Sequence, residues 1–236
     1  MGKCNKHDKQ NVKNTMRFSF IDLLAPHYCC SCGAIGALLC EYCKYDIINE
    51  PFSQCIACLC PAGGSEQLCK NCPTPYTKAW CVGERSGSLE ALINVYKFER
   101  ARAAGDILAD LSCQILPDLP SDVVVVPVPT IASHVRIRGY GHTERIARRV
   151  AREKGLLYRS VLSRRTNTVQ QGSSRKKREK QASEAFSSTG LNGEVCLLVD
   201  DVYTTGATMK HAAKALLKAG ASEVWSLVVS RQPIEN

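Results

Sequence analysis

The sequence predicts an α/β domain built on a parallel sheet flanked by helices, with a small cysteine-rich module in front of it. From Trp80 onward, apolar β-branched runs alternate with segments of helical spacing, which is typical of parallel sheets. Before residue 78, eight of the 14 cysteines stand in C-x-x-C pairs. The 236 residues, 44% of them hydrophobic, are enough for one ordinary domain plus such a module. We predict a disordered polar tail over 1–17, the cysteine module over 18–78 and the α/β domain over 79–236.

The elements of the α/β domain follow from local patterns, taken in chain order. SLEALINVYKF and AAGDILADLSCQIL have the apolar spacing of helices. DVVVVPVP is a continuous β-branched run that ends at prolines, as a buried parallel strand does. HTERIARRVAREKG has the pattern of an amphipathic helix that ends at Gly155. EVCLLVDD and SEVWSLVVSR predict two more strands, and TTGATMKHAAKALLKAG between them predicts a helix with threonine at its start and Gly220 at its end.

The four cysteine pairs predict two zinc sites. They are Cys29/Cys32, Cys40/Cys43, Cys55/Cys58 and Cys69/Cys72, all within 44 residues. Two thiolates on one tight turn supply half of a tetrahedral site, and a second turn supplies the rest. In a cytosolic chain this spacing favours zinc over disulfides, and redox-active or merely buried thiols are the alternative. Gly33, beside the first pair, suits the close backbone of such a turn.

The way in which the cysteine pairs combine stays open between two arrangements. Joining neighbouring pairs closes short loops, which favours a sequential double zinc ribbon. A cross-brace would interleave the pairs instead. Cys30 could also replace Cys29 as a ligand. Because neither site has an open coordination position or a catalytic His or Glu nearby in the sequence, the metal is predicted to be structural.

Charge and hydropathy restrict the partners and the location. The formal net charge of +9 favours anionic partners such as phosphates, nucleotides or nucleic acid. No apolar run reaches the roughly 20 residues of a membrane span, and the basic start lacks the apolar segment of a secretory signal, so we expect a cytoplasmic protein. The basic stretch SRRTNTVQQGSSRKKREK predicts a mobile lid or an anion clamp for pyrophosphate or a nucleic-acid backbone. A solvated loop is the alternative for this stretch.

The stretch LLVDDVYTTGAT, residues 197–208, carries the strongest indication of a ligand site. Asp200 and Asp201 stand at the end of a predicted strand, which is where ligands bind in parallel sheets. A loop with hydroxyl groups and a glycine then leads into a helix, whose first N–H groups and dipole attract phosphate. Since carboxylates repel phosphate, their partners must be sugar hydroxyls or a cation. The pattern is neither a Walker loop nor G-x-G-x-x-G. It predicts a ribose-phosphate grip, with a chance strand–turn–helix capped by threonines as the alternative.

The same stretch resembles the signature of type I phosphoribosyltransferases, in which an apolar strand and two acids precede T-T-G-x-T. Two further segments resemble the ComF family, which comprises competence-associated proteins similar to amidophosphoribosyltransferases. They are VVPVP with the following RIRGYGHTERIARRVA, and QQGSSRKKREKQASEAF. The N-terminal double zinc ribbon completes that arrangement, and the resemblance spans residues 29–230. The sequence departs from the family at Gly141-His142, Ser173 and Gln181. These departures flank the expected acceptor region, so the resemblance does not imply which acceptor is used.

The resemblance implies a type I phosphoribosyltransferase fold that binds phosphoribosyl pyrophosphate with magnesium. Asp200 and Asp201 would be the catalytic acids on the ribose hydroxyls. The implied ligand contacts are Thr204, Thr205, Gly206, Ala207 and Thr208 on the phosphate, with Arg136 and Arg138 on the pyrophosphate. Lys97 resembles a family lysine that follows the first helix, which implies a contact with the substrate or with the hood above it. His142 is predicted to start a helix, and a catalytic role for it is the less favoured interpretation.

Two functions of different classes follow from the resemblance. The first is an enzyme that transfers phosphoribose to an unknown acceptor, in DNA uptake during natural transformation or in nucleotide metabolism and salvage. The second is a non-enzymatic accessory that binds DNA or a partner protein and uses phosphoribosyl pyrophosphate only as a ligand. The partners that the family implies are single-stranded DNA and proteins of the competence machinery. The acid pair and the hydroxylated loop favour ligand binding, whereas the zinc module and the basic stretch favour a macromolecular partner.

Overall fold

The computed structural model describes residues 27–62, 66–99, 101–130, 141–164 and 186–233. The helices in these ranges are α1 (Glu41–Asn49), α2 (Gly87–Phe98), α3 (Arg102–Ile115), α4 (His142–Lys154) and α5 (Ala207–Lys218). The strands are β1 (Lys78–Glu84), β2 (Val124–Pro127), β3 (Leu157–Tyr158), β4 (Leu162–Arg164), β5 (Phe186–Ser188), β6 (Val195–Tyr203) and β7 (Glu223–Arg231). The predicted polar tail, Arg136, Arg138, Ser173, Gln181 and most of the basic stretch lie outside the described residues.

The main sheet has five strands in the order β1-β7-β6-β2-β3, and every neighbouring pair is parallel. The predicted strands correspond to β2, β6 and β7, and the predicted helices to α2, α3, α4 and α5, so the predicted α/β class with a parallel sheet is confirmed. Sequence patterns did not predict α1, β1, β3, β4 or β5, because these elements are short or mix charged with apolar residues. Within the described ranges, none of the helices has both the length and the apolarity needed to cross a bilayer.

Two apolar cores lie on the two faces of the sheet, because successive residues of a strand point to opposite faces. Leu197 and Val199 of β6 belong to the first core, while Cys196 and Leu198 belong to the second. Helices α2, α3 and α4 cover the first core, and α5 covers the second. Residues of the cysteine module contribute to both: Cys29, Leu39, Cys43 and Ile47 to the first, and Phe52 and Ile56 to the second. The module is thus packed against the sheet domain on both faces.

The two sides of β6 are paired over different lengths. Its ladder with β7 continues to Tyr203, which pairs with Arg231. Its ladder with β2 ends where Pro127 pairs with Val199, because β2 then runs into prolines that cannot donate a ladder hydrogen bond. Among the described residues, the backbone after Val199 therefore has a neighbouring strand only on the β7 side. The two acids stand at this carboxyl end of β6.

Candidate functional site

Asp200 and Asp201 are consecutive residues near the end of β6, so their side chains leave opposite faces of the sheet. Asp200 is only 8% exposed, and its Oδ1 accepts a hydrogen bond from the Asp201 N–H at 2.9 Å. Asp201 is ion-paired: its Oδ2 lies 2.7 Å from the Lys97 Nζ at the end of α2, and each side chain is 17% exposed. Among the described residues, Asp200 is therefore buried without an ion-pair partner, whereas Asp201 is neutralised by Lys97.

The surroundings of Asp200 favour its protonated form. Burial raises the pKa of Asp200 from 3.8 to about 8, and the charge of Asp201 adds to the rise. The hydrogen bond from the Asp201 N–H, Lys97 and Arg164 lower the pKa, but they do not offset the burial. Ligand hydroxyls or a cation would reverse this preference, because both interact more strongly with the ionised carboxylate.

We expect the Asp200→Asn substitution to raise the melting temperature of the ligand-free protein at pH 8. Because the folded pKa is raised, the stability that Asp200 contributes is fully present below pH 3.8 and is lost as the pH rises toward 8. Asparagine keeps the shape and carries no charge to bury. The free energy of unfolding at pH 8 should therefore increase by at least about 1 kcal/mol, the equivalent of one pKa unit. The gain should shrink toward pH 5, which thermal unfolding at the two pH values measures.

Asp201→Asn is the matched control for this prediction. It removes a carboxylate from the same strand but also removes the ion pair with Lys97, so it should give no gain in stability. If the Asp200→Asn variant melted at or below the wild-type temperature at both pH values, burial of the Asp200 carboxylate would not lower the free energy of unfolding, and the prediction would be wrong.

Residues 204–208 are the segment predicted to hold phosphate, and we call them the phosphate loop. This loop turns at Gly206, which is the N-cap of α5. Gly206 has a φ of 75°, in the left-handed region that favours glycine, and a β-carbon there would collide with the ring and hydroxyl of Tyr203. The predicted helix is confirmed, but it begins at Ala207, and its N-cap is Gly206 and not a threonine. Thr204 and Thr205 are exposed, and the Thr205 Oγ1 accepts a hydrogen bond from the Ala207 N–H at 3.4 Å. The first N–H groups of α5 have no carbonyl partner within the helix, and such groups bind phosphate.

The eight paired cysteines form two clusters, and each cluster joins neighbouring pairs. The first cluster is Cys29, Cys32, Cys40 and Cys43, and the second is Cys55, Cys58, Cys69 and Cys72. Within each cluster the Sγ atoms lie within 4.8 Å of one another. Tetrahedral zinc with Zn–S bonds of about 2.3 Å needs sulfur separations of about 3.8 Å. The Cys32–Cys40 and Cys55–Cys72 separations are 3.6 and 3.8 Å. The arrangement is the sequential one, and Cys30 belongs to neither cluster.

Both clusters have the local structure of a metal-binding turn. The Cys29 carbonyl accepts a hydrogen bond from Gly33 N–H, and the Cys55 carbonyl accepts one from Leu59 N–H, each at 2.9 Å. Gly33 and Leu59 both have left-handed backbones, with φ of 76° and 61°. Burial raises the pKa of Cys29 and of Cys55, but hydrogen bonds from nearby backbone N–H groups outweigh it and lower these pKa values to about 6 and about 7. A thiolate in each turn and four soft ligands suit zinc.

His142 lies where the sequence predicted, at the start of α4, but it is part of the core. It is 1% exposed, and its Nε2 lies 3.2 Å from the backbone carbonyl of Tyr96. Its ring also packs edge-on against the Tyr96 ring, with 4.7 Å between the ring centres. These contacts favour a packing role for His142 over a catalytic one.

Three residues near the phosphate loop were missed by sequence analysis: Tyr76, Tyr203 and Arg231. Tyr203 lies inside the acidic motif, so its position was the one signal in the sequence, and the structure shows that it is only 2% exposed. Tyr76 and Arg231 lie in different segments, and no local pattern connects either of them with the loop. Their contacts appear only when β1, β6 and β7 are assembled side by side.

Comparison with known proteins supports the same class. A family model described as "Phosphoribosyl transferase domain" matches residues 97–235, more than half of the chain. The "DNA utilization protein YhgH" of Salmonella typhi is 27% identical over 87% of this chain and 98% of its own length. "Competence protein F" of Haemophilus influenzae is 28% identical over 80% of this chain and 89% of its own. "Competence protein ComFC" of Bacillus subtilis is 34% identical over 50% of this chain and 48% of its own.

The chain therefore belongs to the phosphoribosyl transferase domain family, and the matched segment contains the acid pair, the phosphate loop and Lys97. Relatives named as competence proteins, and the cysteine clusters before the domain, support the predicted resemblance to the ComF family. The ComF resemblance and the type I phosphoribosyltransferase fold predicted from the sequence are both confirmed.

Proposed function

We propose that the chain binds phosphoribosyl pyrophosphate with magnesium at the carboxyl end of β6 and acts as a phosphoribosyltransferase in DNA uptake. The observation that carries this proposal is an acid pair at the end of β6, with Asp200 buried, that is followed after a short loop by a helix start at Gly206. The family match over residues 97–235 supports this ligand class. Relatives named for competence and for DNA utilization support the biological setting.

The two parts of the site suit the two ends of a ribose phosphate. The 5-phosphate would accept hydrogen bonds from the first N–H groups of α5 and from the exposed hydroxyls of Thr204 and Thr205. Asp200 and Asp201 would accept hydrogen bonds from the ribose hydroxyls. Lys97 neutralises Asp201 in the ligand-free protein, so ligand hydroxyls or a magnesium ion would compete with it for this carboxylate.

The chemistry that these residues support is displacement at the anomeric carbon. Departure of pyrophosphate leaves positive charge on the ribose, and nearby carboxylates stabilise that charge. Bound magnesium would neutralise the leaving pyrophosphate, as this ion does on substrate phosphates. The remaining contribution of the chain is to hold the ribose in place for attack by the acceptor. This reaction needs no nucleophile from the protein.

The double substitution Asp200→Asn with Asp201→Asn should weaken binding of phosphoribosyl pyrophosphate by at least about 10-fold. A hydrogen bond to a charged group contributes roughly 1.5–3 kcal/mol, and asparagine keeps the shape without the charge. Titration calorimetry with magnesium present is the measurement. Asp106→Asn with Asp110→Asn is the matched control, since it removes two ion-paired acids of α3 away from β6. If the double Asn variant bound the ligand as tightly as the wild type, or if the wild type did not bind it, the motif would be only a capped strand–helix turn and not a ligand site.

The names of the relatives also favour a second candidate, a non-enzymatic accessory that binds DNA and uses phosphoribosyl pyrophosphate only as a ligand. A pyrophosphate-release assay, run with and without single-stranded DNA, separates the two candidates. Under the proposed function, we expect the wild type to release pyrophosphate and the double Asn variant to lose this activity. Binding that persists without any release, in both conditions, would favour the accessory.

A further inference from the structure

Arg231, the last residue of β7, is a buried cation that has no acidic partner in the part of the chain that the structure describes. It is 4% exposed, and no carboxylate among the described residues lies within ion-pair distance of it. Its guanidinium instead donates to three backbone carbonyls: from Nε to Ile56 at 2.7 Å, from Nη1 to Tyr203 at 3.3 Å, and from Nη1 to Gln232. A buried charge is costly unless it is hydrogen-bonded in this way, so these carbonyls fix the position of the guanidinium.

The three carbonyls belong to three segments that meet at the candidate site. Ile56 lies between Cys55 and Cys58 of the second cysteine cluster, and Tyr203 is the residue directly before the phosphate loop. The guanidinium carbon also lies 5.1 Å from the centre of the Tyr203 ring, close enough for a cation–π contact. One side chain therefore connects the second cysteine cluster with the start of the phosphate loop.

A second connection runs between the same two parts of the molecule. The hydroxyls of Tyr76 and Tyr203 are 2.8 Å apart, and both residues are at most 2% exposed. Tyr76 stands four residues after Cys72, the last ligand of the second cluster. The Tyr203 hydroxyl in turn lies against the backbone of Gly206, since it is the atom that a side chain at this position would meet first. The turn of the phosphate loop at Gly206 therefore packs against the Tyr76–Tyr203 pair.

The first cysteine cluster has no comparable connection among the described residues. Cys29 and Cys43 pack in the first core, on the face of the sheet covered by α2, α3 and α4. Ile56, Tyr76 and Tyr203 pack together in the second core, on the face covered by α5. Loss of metal from the two clusters should therefore have different effects on the loop.

We propose that Arg231 and the Tyr76–Tyr203 pair are positioning residues that fasten the phosphate loop to the second cysteine cluster, so that the order of the loop depends on metal in that cluster. The inference rests on the proposed function for the identity of the ligand. The support of the loop itself can be measured without any ligand.

Hydrogen exchange of the backbone amides of residues 203–209 in the ligand-free protein is the first test. We expect Arg231→Gln, Tyr76→Phe and the double variant Cys58→Ser with Cys69→Ser each to speed this exchange at least about 10-fold, which is 1.4 kcal/mol of local opening. Exchange in β2 should stay within about twofold in Arg231→Gln and Tyr76→Phe, because only a local support is lost. In the cysteine double variant, which destabilises the whole chain, exchange in residues 203–209 should rise more than exchange in β2. Arg231→Lys should fall between the wild type and Arg231→Gln, since an ammonium can restore part of the hydrogen bonding.

Two control variants accompany this test. Arg159→Gln removes an arginine that bonds Glu194 at the surface, and Cys32→Ser with Cys40→Ser removes ligands of the first cluster. Arg159→Gln should leave exchange in the loop unchanged, and Cys32→Ser with Cys40→Ser should not speed exchange in the loop more than exchange in β2. Unchanged exchange in Tyr76→Phe, which loses a single hydroxyl and keeps its ring, would overturn the proposal even if Arg231→Gln does not fold. An equal rise in the two cysteine double variants would overturn the dependence on the second cluster.

Zinc release from the zinc-loaded wild type to a colorimetric chelator is the second test. Because a bound ligand would order the loop and the Tyr203 contacts that join it to the second cluster, phosphoribosyl pyrophosphate with magnesium should slow release from the second cluster at least about 5-fold and leave the first unchanged. Two variants show which release phase belongs to which cluster, because each lacks two ligands of one cluster: Cys32→Ser/Cys40→Ser for the first and Cys58→Ser/Cys69→Ser for the second. A wild type that binds the ligand without slowing release would contradict the proposal. A wild type that does not bind it would contradict the proposed function, while the exchange test would still decide the role of Arg231.

Discussion

Loss of metal from the two cysteine clusters is expected to unfold the cysteine module and to destabilise the whole chain strongly. Structural zinc contributes roughly 10–16 kcal/mol of apparent folding free energy in small peptides, and this module has little core of its own to replace it. The effect should extend to the sheet domain, because Cys29 and Cys43 belong to its first core and Ile56 to its second. Elemental analysis of reduced protein should find about two zinc atoms per chain, from the ligand count. Thermal unfolding with and without a chelator measures the loss.

Cys60→Ser is the matched control for the metal prediction. Cys60 is an exposed thiol two residues after Cys58, but it belongs to neither cluster. We expect Cys60→Ser to keep both zinc atoms and the wild-type melting temperature, and Cys58→Ser to lose one zinc atom and melt earlier. A zinc content near zero in protein purified under reducing conditions would show that the clusters are not metal sites.

Gly206→Val is expected to weaken binding of phosphoribosyl pyrophosphate by at least about 10-fold, through two separate effects. The left-handed backbone of Gly206 costs a residue with a β-carbon roughly 1–2 kcal/mol. The valine would also collide with Tyr203, and the loop would have to move away from the start of α5. Both effects displace the N–H groups that we expect to hold the phosphate. Titration calorimetry with magnesium is the measurement, and circular dichroism checks that the variant folds.

Gly193→Val separates the two effects of this substitution. Gly193 also has a left-handed backbone, with a φ of 86°, but a β-carbon there would meet no atom within 4 Å. It should lose stability through backbone strain and still bind the ligand with wild-type affinity. If Gly206→Val bound as tightly as Gly193→Val, the turn at Gly206 would not be part of the ligand site.

Much of the fold could be predicted from the sequence because the elements that carry it have long, regular patterns. The continuous apolar runs of β2, β6 and β7 and the helical spacing in α2, α3, α4 and α5 follow directly from the burial each element requires. Cysteine spacing likewise predicted two groups of ligands, because a C-x-x-C turn presents two thiols from a local backbone geometry. The acid pair and the phosphate loop were recognisable because they are contiguous in the chain. The sequence patterns did not predict strand β1, because charged residues flank its short apolar run on both sides.

The sequence by itself determined the α/β class, the ComF resemblance and the residues of the acidic motif and of the cysteine pairs. Only the tertiary structure decided how these parts meet. The contact between Lys97 and Asp201 depends on where α2 ends above β6, and the Tyr76–Tyr203 hydrogen bond joins residues 127 positions apart. The bond from Arg231 to Ile56 spans 175 positions. The burial that raises the pKa of Asp200 also depends on its neighbours in the assembled sheet. The physical reason is that local patterns encode periodicity and turns, whereas the partners and the solvation of a buried polar group depend on which distant segments the sheet places beside it.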